Sequence, residues 1–273
     1  MMRTSLSGLQ AASKDLNVTS NNLANGQTTA FKRSVAQFGD LRVSEQATRP
    51  AVEVGQGVMT LAVQRQLQQG TFETSNSGLD VAISGGGYFT LGAGTANGDQ
   101  TFNYSRAGNF SISNEGTLIN SEGLPVMGYK TAPLGSTTSP PTKIDILMAA
   151  GGSFKNIKAV NIDSNGTVSI SKSDGTIVAA GTLALARFQN EGGLKEQSGV
   201  ILKETTLSGA PTYGAPGKAG YGSLNQGVLE SSNVDITQEL VHMISAQQAY
   251  NGNSRALQTE SEMLRSAAET LIR

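Results

Sequence analysis

The residues in this chain that could do chemistry are few, and they are poorly placed for it. There is one histidine, His242, and no cysteine. A structural zinc or haem site needs several such ligands at close spacing, so neither is supported. A serine triad could form only around His242, which lies in the apolar run Leu240-Val241-His242-Met243-Ile244. No G-x-S-x-G turn is present to display a nucleophile. His242 reads as a helix-surface or interface residue. Ser84-Gly85-Gly86-Gly87 has the glycines of a phosphate loop without the Lys-Ser/Thr ending or the following helix, so a turn between two strands accounts for it better. Asp163-Ser164-Asn165-Gly166 opens like a calcium loop but lacks the closing glutamate, and Asn-Gly between alternating strands is the better account. Asp145, Asp163, Glu191 and Glu196 have no spacing that joins them into a carboxylate pair. The expectation is a non-enzyme with no catalytic residue, cofactor or metal.

Composition points the same way. The chain has 273 residues with 33 glycines, no tryptophan, 15% charged residues and a formal net charge of −1. That balance gives no basic footprint for nucleic acid and no polybasic cluster for anionic lipid. No apolar run is long enough for a membrane-spanning helix, so no membrane insertion is expected. The first residues lack the continuous apolar stretch of a secretory signal, which taken alone places the chain in the cytoplasm.

The positive signal lies in the elements at the two ends. Ile236, Met243, Tyr250, Leu257, Leu264 and Leu271 recur every seventh residue, with Leu240 beside them. Leu9, Leu16 and Leu23 repeat the spacing near the N-terminus. A seven-residue apolar period puts each set on one stripe of a helix, and a stripe that long needs another helix to cover it. The spacing predicts helices over Arg3–Asn25, stopped by Gly26 in a left-handed conformation, and from Ser232 to the C-terminus, opened by a capping box of Ser232 and Asp235. Asn17, Thr19, Ser20, Asn21 and Asn22 are poor helix formers, so the first helix is expected to be marginal alone and ordered by partners.

Between the ends the pattern changes to short alternating strands with glycine turns at Ser84–Gly87, Asn97-Gly98, Asn114-Glu115-Gly116, Asn165-Gly166 and Asp174-Gly175, which predicts a compact antiparallel sandwich or barrel. The fold class is therefore α+β: terminal helices pairing as an α-helical coiled coil, with a central, mainly antiparallel β domain. The expected division is an N-terminal helix at 1–27, an extended connection at 28–70 with a flexible Arg42–Pro50, a β body at 71–227 with a joint near 150, and a C-terminal helix region at 228–273.

Three stretches resemble the bacterial flagellar axial proteins, the rod and hook family. They are Ser7-Gly8-Leu9 with Asn21-Asn22-Leu23-Ala24-Asn25 and Thr28-Thr29-Ala30-Phe31-Lys32; Gly78-Leu79-Asp80-Val81-Ala82-Ile83 with Tyr104-Ser105-Arg106-Ala107-Gly108-Asn109-Phe110; and Gly227-Val228-Leu229-Glu230-Ser231-Ser232-Asn233-Val234-Asp235 with Glu239-Leu240-Val241 and Ala246-Gln247-Gln248-Ala249-Tyr250. Ala30 stands where the family pattern has glycine. The resemblance implies a self-assembling tubular polymer. Its terminal helices would line a channel, and its subunits would leave the cytoplasm through the flagellar type III export apparatus, which replaces the cytoplasmic placement by the hook and basal body of the flagellum. Val126-Met127-Gly128-Tyr129 and Leu147-Met148-Ala149-Ala150 look more like hook members, implying a short hook-type subunit, a flexible joint that carries motor torque to the filament. A distal-rod type is the alternative, and a secreted β-domain enzyme or carbohydrate-binding module the remote one. The implied partners are further copies of the chain, rod proteins, a hook cap, hook–filament junction proteins and the export apparatus. The residues expected at subunit contacts are Leu9, Leu16, Leu23, Phe31, Ile236, Leu240, Met243, Tyr250, Leu257, Leu264 and Leu271.

Overall fold

A computed structural model of the chain describes residues 2–41, 55–92, 101–130, 140–149, 151–153 and 157–271, with side chains to residue 269. Arg42–Pro50, Asn97-Gly98 and most of the loop before Thr142 lie outside the described residues. The chain opens with helix α1 (Met2–Ala24), followed by strands β1 (Ser34–Asp40), β2 (Val58–Arg65) and β3 (Phe72–Thr74). Next come β4 (Val81–Ser84), β5 (Tyr88–Gly92), β6 (Phe102–Ser105), β7 (Ser111–Ile112), β8 (Leu118–Ile119), β9 (Met127–Tyr129) and β10 (Thr142–Lys143). A one-turn helix α2 (Ile146–Ala149) precedes β11 (Ile157–Ile162), β12 (Thr167–Lys172), β13 (Ile177–Leu183) and β14 (Leu185–Arg187). The last strands are β15 (Lys195–Ser198), β16 (Ile201–Lys203), β17 (Thr212–Gly214), β18 (Ser223–Gln226) and β19 (Val228–Glu230), and the chain closes with α3 (Ile236–Leu271).

Internal contacts divide the chain into two units. One comprises Met1–Gly26, Lys32–Gln66 and Val234–Arg273; the other comprises Gln27–Phe31 and Leu67–Asn233.

The first unit holds α1, α3 and an antiparallel ribbon of β1 and β2 with a register shift between Gln37 and Phe38. The stretch read from sequence as an extended connection thus contains a paired ribbon. α1 ends through turn bonds, with the Asn25 N–H donating to the Asn21 carbonyl at 3.1 Å and the Gly26 N–H to the Leu23 carbonyl at 3.2 Å. The left-handed stop expected at Gly26 is corrected: Gly26 does not take a positive φ. A Cβ there would lie 3.2 Å from Ile236 Cγ1, so glycine serves close approach of α3 instead. The capping box is corrected too. Asp235 is the cap, its Oδ1 accepting from the N–H groups of Thr237 at 2.9 Å and Gln238 at 3.2 Å. Ser232 lies in the extended chain after β19, a turn too early to reach those groups.

The second unit is antiparallel throughout its described pairings. One sheet runs β10-β9-β13-β12-β11, another β15-β16-β6-β5-β14-β17, with the two-stranded pairs β18-β4, β19-β3 and β7-β8 beside them. Phe89, Leu91 and Leu185 from the six-stranded sheet share one buried core with Val168, Ile170 and Leu183 from the five-stranded one. Each such side chain contributes about 1.5–3 kcal/mol by leaving water. The turns at Asn114–Gly116, Asn165-Gly166 and Asp174-Gly175 join neighbouring paired strands, their glycines at φ 78°, 78° and 83°. Ser84–Gly87 behaves differently. Strand β4 pairs with β18 and β5 with β6 and β14, so this turn is a corner between sheets and not a hairpin.

A second cluster gathers Tyr88, Tyr104, Phe188, Leu194, Leu202 and Tyr213. The Tyr104 and Tyr213 hydroxyls are 3.1 Å apart, and the Tyr104 hydroxyl also donates to Glu204 at 3.3 Å. Burial raises the pKa of Tyr104 and Tyr213 above the ordinary phenol value, and with the nearby Tyr213 it pushes Tyr129 up to about 12. A phenol that stays neutral in the fold but ionises near pH 10 when unfolded contributes stability that is whole below that pH and is lost above it. Alkaline titration is therefore expected to unfold the β unit above about pH 10. The ring resonances of Tyr104, Tyr129 and Tyr213, followed by NMR, should report phenolate only together with loss of the β circular-dichroism signal; phenolate at these three residues with the sheet intact would contradict this.

Ala30 holds φ 59°, the left-handed region that costs a non-glycine residue about 1–2 kcal/mol. Its N–H donates to the Glu230 carbonyl at 2.8 Å, which fixes the backbone in that conformation. Ala30→Gly should relieve that strain. After the greater unfolded-state freedom of glycine it should stabilise the chain by about 0.5–1 kcal/mol in a denaturant melt. A lower midpoint would refute the strain.

Candidate functional site: the paired terminal helices

The terminal helices lie antiparallel against each other inside the first unit. Gly8 faces Asn253, Asp15 faces His242, Asn22 faces Glu239 and Gly26 faces Ile236. A Cβ on Gly8 would sit 2.8 Å from Asn253 Nδ2, so the smallest residue is what lets the helices approach there.

Near the start of α3 a polar cluster holds three elements together. Asn22 Nδ2 donates to the Ser34 carbonyl at 2.8 Å, and the Ser34 N–H donates back to Asn22 Oδ1 at 2.9 Å. The same amide donates to a Glu239 carboxylate oxygen at 3.3 Å, and Arg33 Nε donates to the other oxygen in an ion pair. Glu239 is 1% exposed. A buried carboxylate is tolerable only when charge and lone pairs are met, and here Arg33 and Asn22 meet them. The cluster ties α1, α3 and the first residue of β1 into one corner. Sequence reading quoted Asn22 and Glu239 in motifs but gave neither a role; the signal was a carboxylate inside an apolar-periodic helix start.

The helix residues with the least exposure are small or polar: Ala11, Ala12, Val18, Thr19 and Asn22 on α1, and Glu239 and Ala246 on α3. The heptad residues sit around them. Leu9, Leu16, Leu23, Met243 and Leu257 are half-buried, whereas Ile236, Leu240, Tyr250 and Leu264 are exposed. Leu271 closes α3 and its side chain lies outside the described residues. Phe31 is buried in the second unit. Further apolar side chains stand in solvent: Met2 and Leu6 on α1, Val241, Ile244 and Met263 on α3, and Met59, Leu61 and Val63 along β2. Among the described residues nothing lies within 4 Å of a Cβ built on Gly252, so none of them packs closely on that glycine.

Among the described residues, the candidate histidine and carboxylates lie apart, each with its own partner. His242 pairs with Asp15 at 3.2 Å, Glu191 accepts from Tyr88, and Asp145 pairs with Lys143 at 3.8 Å. The Asp163 carbonyl accepts the Gly166 N–H in a tight turn. Among the described residues, no group of three or more His, Asp or Glu is placed to hold a metal ion, and no helix is long and apolar enough to cross a membrane.

Three families match successive parts of the chain: "Flagella basal body rod protein" over residues 2–32, "Flagellar hook protein FlgE/F/G D1 domain" over 82–170 and "Flagellar basal body rod FlgEFG protein C-terminal" over 225–270. The flagellar basal-body rod protein FlgG of Caulobacter vibrioides is 34% identical, the alignment covering 98% of each chain. FlgG of Borreliella burgdorferi is 35% identical over 97% of each. The flagellar hook protein FlgE of Salmonella typhimurium is 23% identical over 95% of this chain and 97% of its own, in an alignment of 401 positions. A crystal structure of Helicobacter pylori hook protein FlgE2 is 13% identical, covers 66% of this chain and 47% of its own, and superposes with a TM-score of 0.23, too low to carry a structural argument. The chain belongs to the flagellar rod and hook family, whose members are structural proteins of the flagellum and not enzymes.

Proposed function

We propose that the chain is a structural subunit of the distal-rod type, polymerising into a straight hollow shaft within the flagellar basal body. The observation that carries this reading is the end-to-end likeness to rod proteins, with no long insertion on either side. The hook relative needs an alignment far longer than this chain, so it carries segments that the chain lacks. The hook reading rests on Val126–Tyr129 and Leu147–Ala150, two short stretches that weigh less than the whole length.

In the proposed polymer α1 and α3 form an inner layer of coiled-coil contacts. The residues Leu9, Leu16, Leu23, Ile236, Leu240, Met243, Tyr250, Leu257, Leu264 and Leu271 meet neighbouring copies, and the β body of 71–227 lies outside. Buried Phe31 would act through its own chain. Exposed apolar side chains on α3 and β2 supply the contact area that a lone subunit leaves in water. Other axial proteins above and below, and the type III export apparatus as the route out, are further parts of the proposal.

The test is electron microscopy of purified basal bodies with this protein labelled. Label on the straight shaft supports the rod reading. Label on a curved external tube would overturn it in favour of the hook.

A further inference from the structure

We propose that Glu230 is the clasp of one cooperative stem, which gathers every passage of the chain from one unit to the other. Those passages fall after Gly26, Phe31, Gln66 and Asn233. They border three segments of the second unit: 27–31, 67–71 and 230–233. The three segments are bonded to one another. The Ala30 N–H donates to the Glu230 carbonyl at 2.8 Å, and the Asn233 N–H donates to the Phe31 carbonyl at 3.3 Å. Segment 230–233 is also bonded to 67–71. The Ser231 N–H donates to the Thr71 carbonyl at 2.8 Å, and Asn233 Nδ2 donates to the Gln68 carbonyl at 3.0 Å. A Cβ on Gly70 would lie 2.1 Å from the Ser231 carbonyl oxygen, so only glycine lets the two backbones come this close.

Glu230 anchors the bundle. Its carboxylate accepts the Gly70 N–H at 3.1 Å and meets Arg106 Nη1 at 3.4 Å, and Arg106 Nη2 donates to the Gly85 carbonyl at 2.6 Å. Gln69 closes the circuit, its Oε1 accepting from the Gly85 N–H at 3.2 Å. Glu230 is 1% exposed and Arg106 7%, so the pair is sheltered from water. Glu230 holds 27–31 through its carbonyl and 67–71 through its carboxylate, so neither segment leaves without disturbing the partner of the other. One hydrogen bond favours its closed form by only about two- to tenfold. Bonds that must break together multiply these factors, and the stem then opens as a unit and not segment by segment. A pull on any one passage is spread over all of them and into Arg106. The clasp belongs to the single chain and does not depend on the rod reading.

The test is residue-resolved amide exchange of the full chain by NMR, in the wild type, Asn233→Ala and Glu230→Gln. In the wild type the Ala30, Gly70, Ser231 and Asn233 amides should share one opening equilibrium to within about twofold. Asn233→Ala removes the bond to Gln68 and keeps every backbone group. The Ala30 amide, on a different segment from Gln68, should nonetheless lose protection by about two- to tenfold, and the Gly70 and Ser231 amides by the same factor. Glu230→Gln weakens the hold on Gly70 and Arg106 and leaves the carbonyl that Ala30 binds. It should lower Ala30 protection together with that of Gly70. Four separate opening equilibria in the wild type, or an Ala30 amide unchanged in either variant, would overturn the clasp.

Discussion

Glu230→Ala is expected to lower the stability of the β unit by about 3–5 kcal/mol, the cost of leaving one partner of a buried ion pair alone. Glu230 is 1% exposed, and its carboxylate meets Arg106 Nη1 at 3.4 Å while accepting the Gly70 N–H at 3.1 Å. Arg106 also donates to the Gly85 carbonyl at 2.6 Å and lies 5.4 Å from the centre of the Tyr88 ring. Truncating Glu230 strands a guanidinium that is itself buried and frees the Gly70 N–H. Urea unfolding followed by circular dichroism measures the loss. A shift below about 1 kcal/mol would mean that water replaces the carboxylate at little cost. Glu230→Gln should fall between the two, since it can keep the acceptor but not the charge. Replacing both partners with apolar residues should cost much less than Glu230→Ala alone.

Leu257→Asp combined with Leu264→Asp is expected to abolish polymer formation while leaving the unfolding midpoint of the monomer nearly unchanged. Leu257 is half-buried and Leu264 is 56% exposed, so the single chain has little packing to lose there. A neighbour that covered the stripe would have to bury two carboxylates without partners, at several kcal/mol each. Sedimentation and electron microscopy read the outcome. Tubes of normal length from the double variant would sink the proposal that these residues face other copies. Failure of the monomer to fold would move them from the surface to the core of the chain.

Local patterns in the sequence carried much of this fold. The seven-residue period found both terminal helices to within a residue or two of α1 and gave the long run of α3. The hairpins at Asn114–Gly116, Asn165-Gly166 and Asp174-Gly175 were legible because turn and strands lie within a dozen residues of each other. Ser84–Gly87 has the same local signature, but its strands pair elsewhere: Ser84 of β4 sits opposite Ser223 of β18. Nothing near the turn records that choice. The capping box failed for a related reason. Ser232 and Asp235 both suit a helix start, and the extended chain after β19 decides between them.

The candidate site was harder to read. The Asn22–Glu239 contact joins residues 217 positions apart, and each residue alone looks like a helix defect. His242 reads from sequence as a helix-surface or interface residue, and its partner is not legible there, because Asp15 lies on the other terminal helix. Family membership was legible in short motifs. The choice between hook and rod is not legible there, since it turns on what the chain lacks along its whole length and no short stretch records that.

The left-handed backbone at Ala30 has a consequence for how this position tolerates change. A buried residue usually selects for volume, so that valine replaces alanine more readily than glycine does. Here the order is inverted. Glycine enters freely, alanine is endured, and β-branched side chains should be refused because their Cβ substituents collide with the backbone at positive φ. In a saturation library scored for folding, position 30 should therefore rank residues by backbone freedom, unlike buried Ala82 in β4, where size should decide.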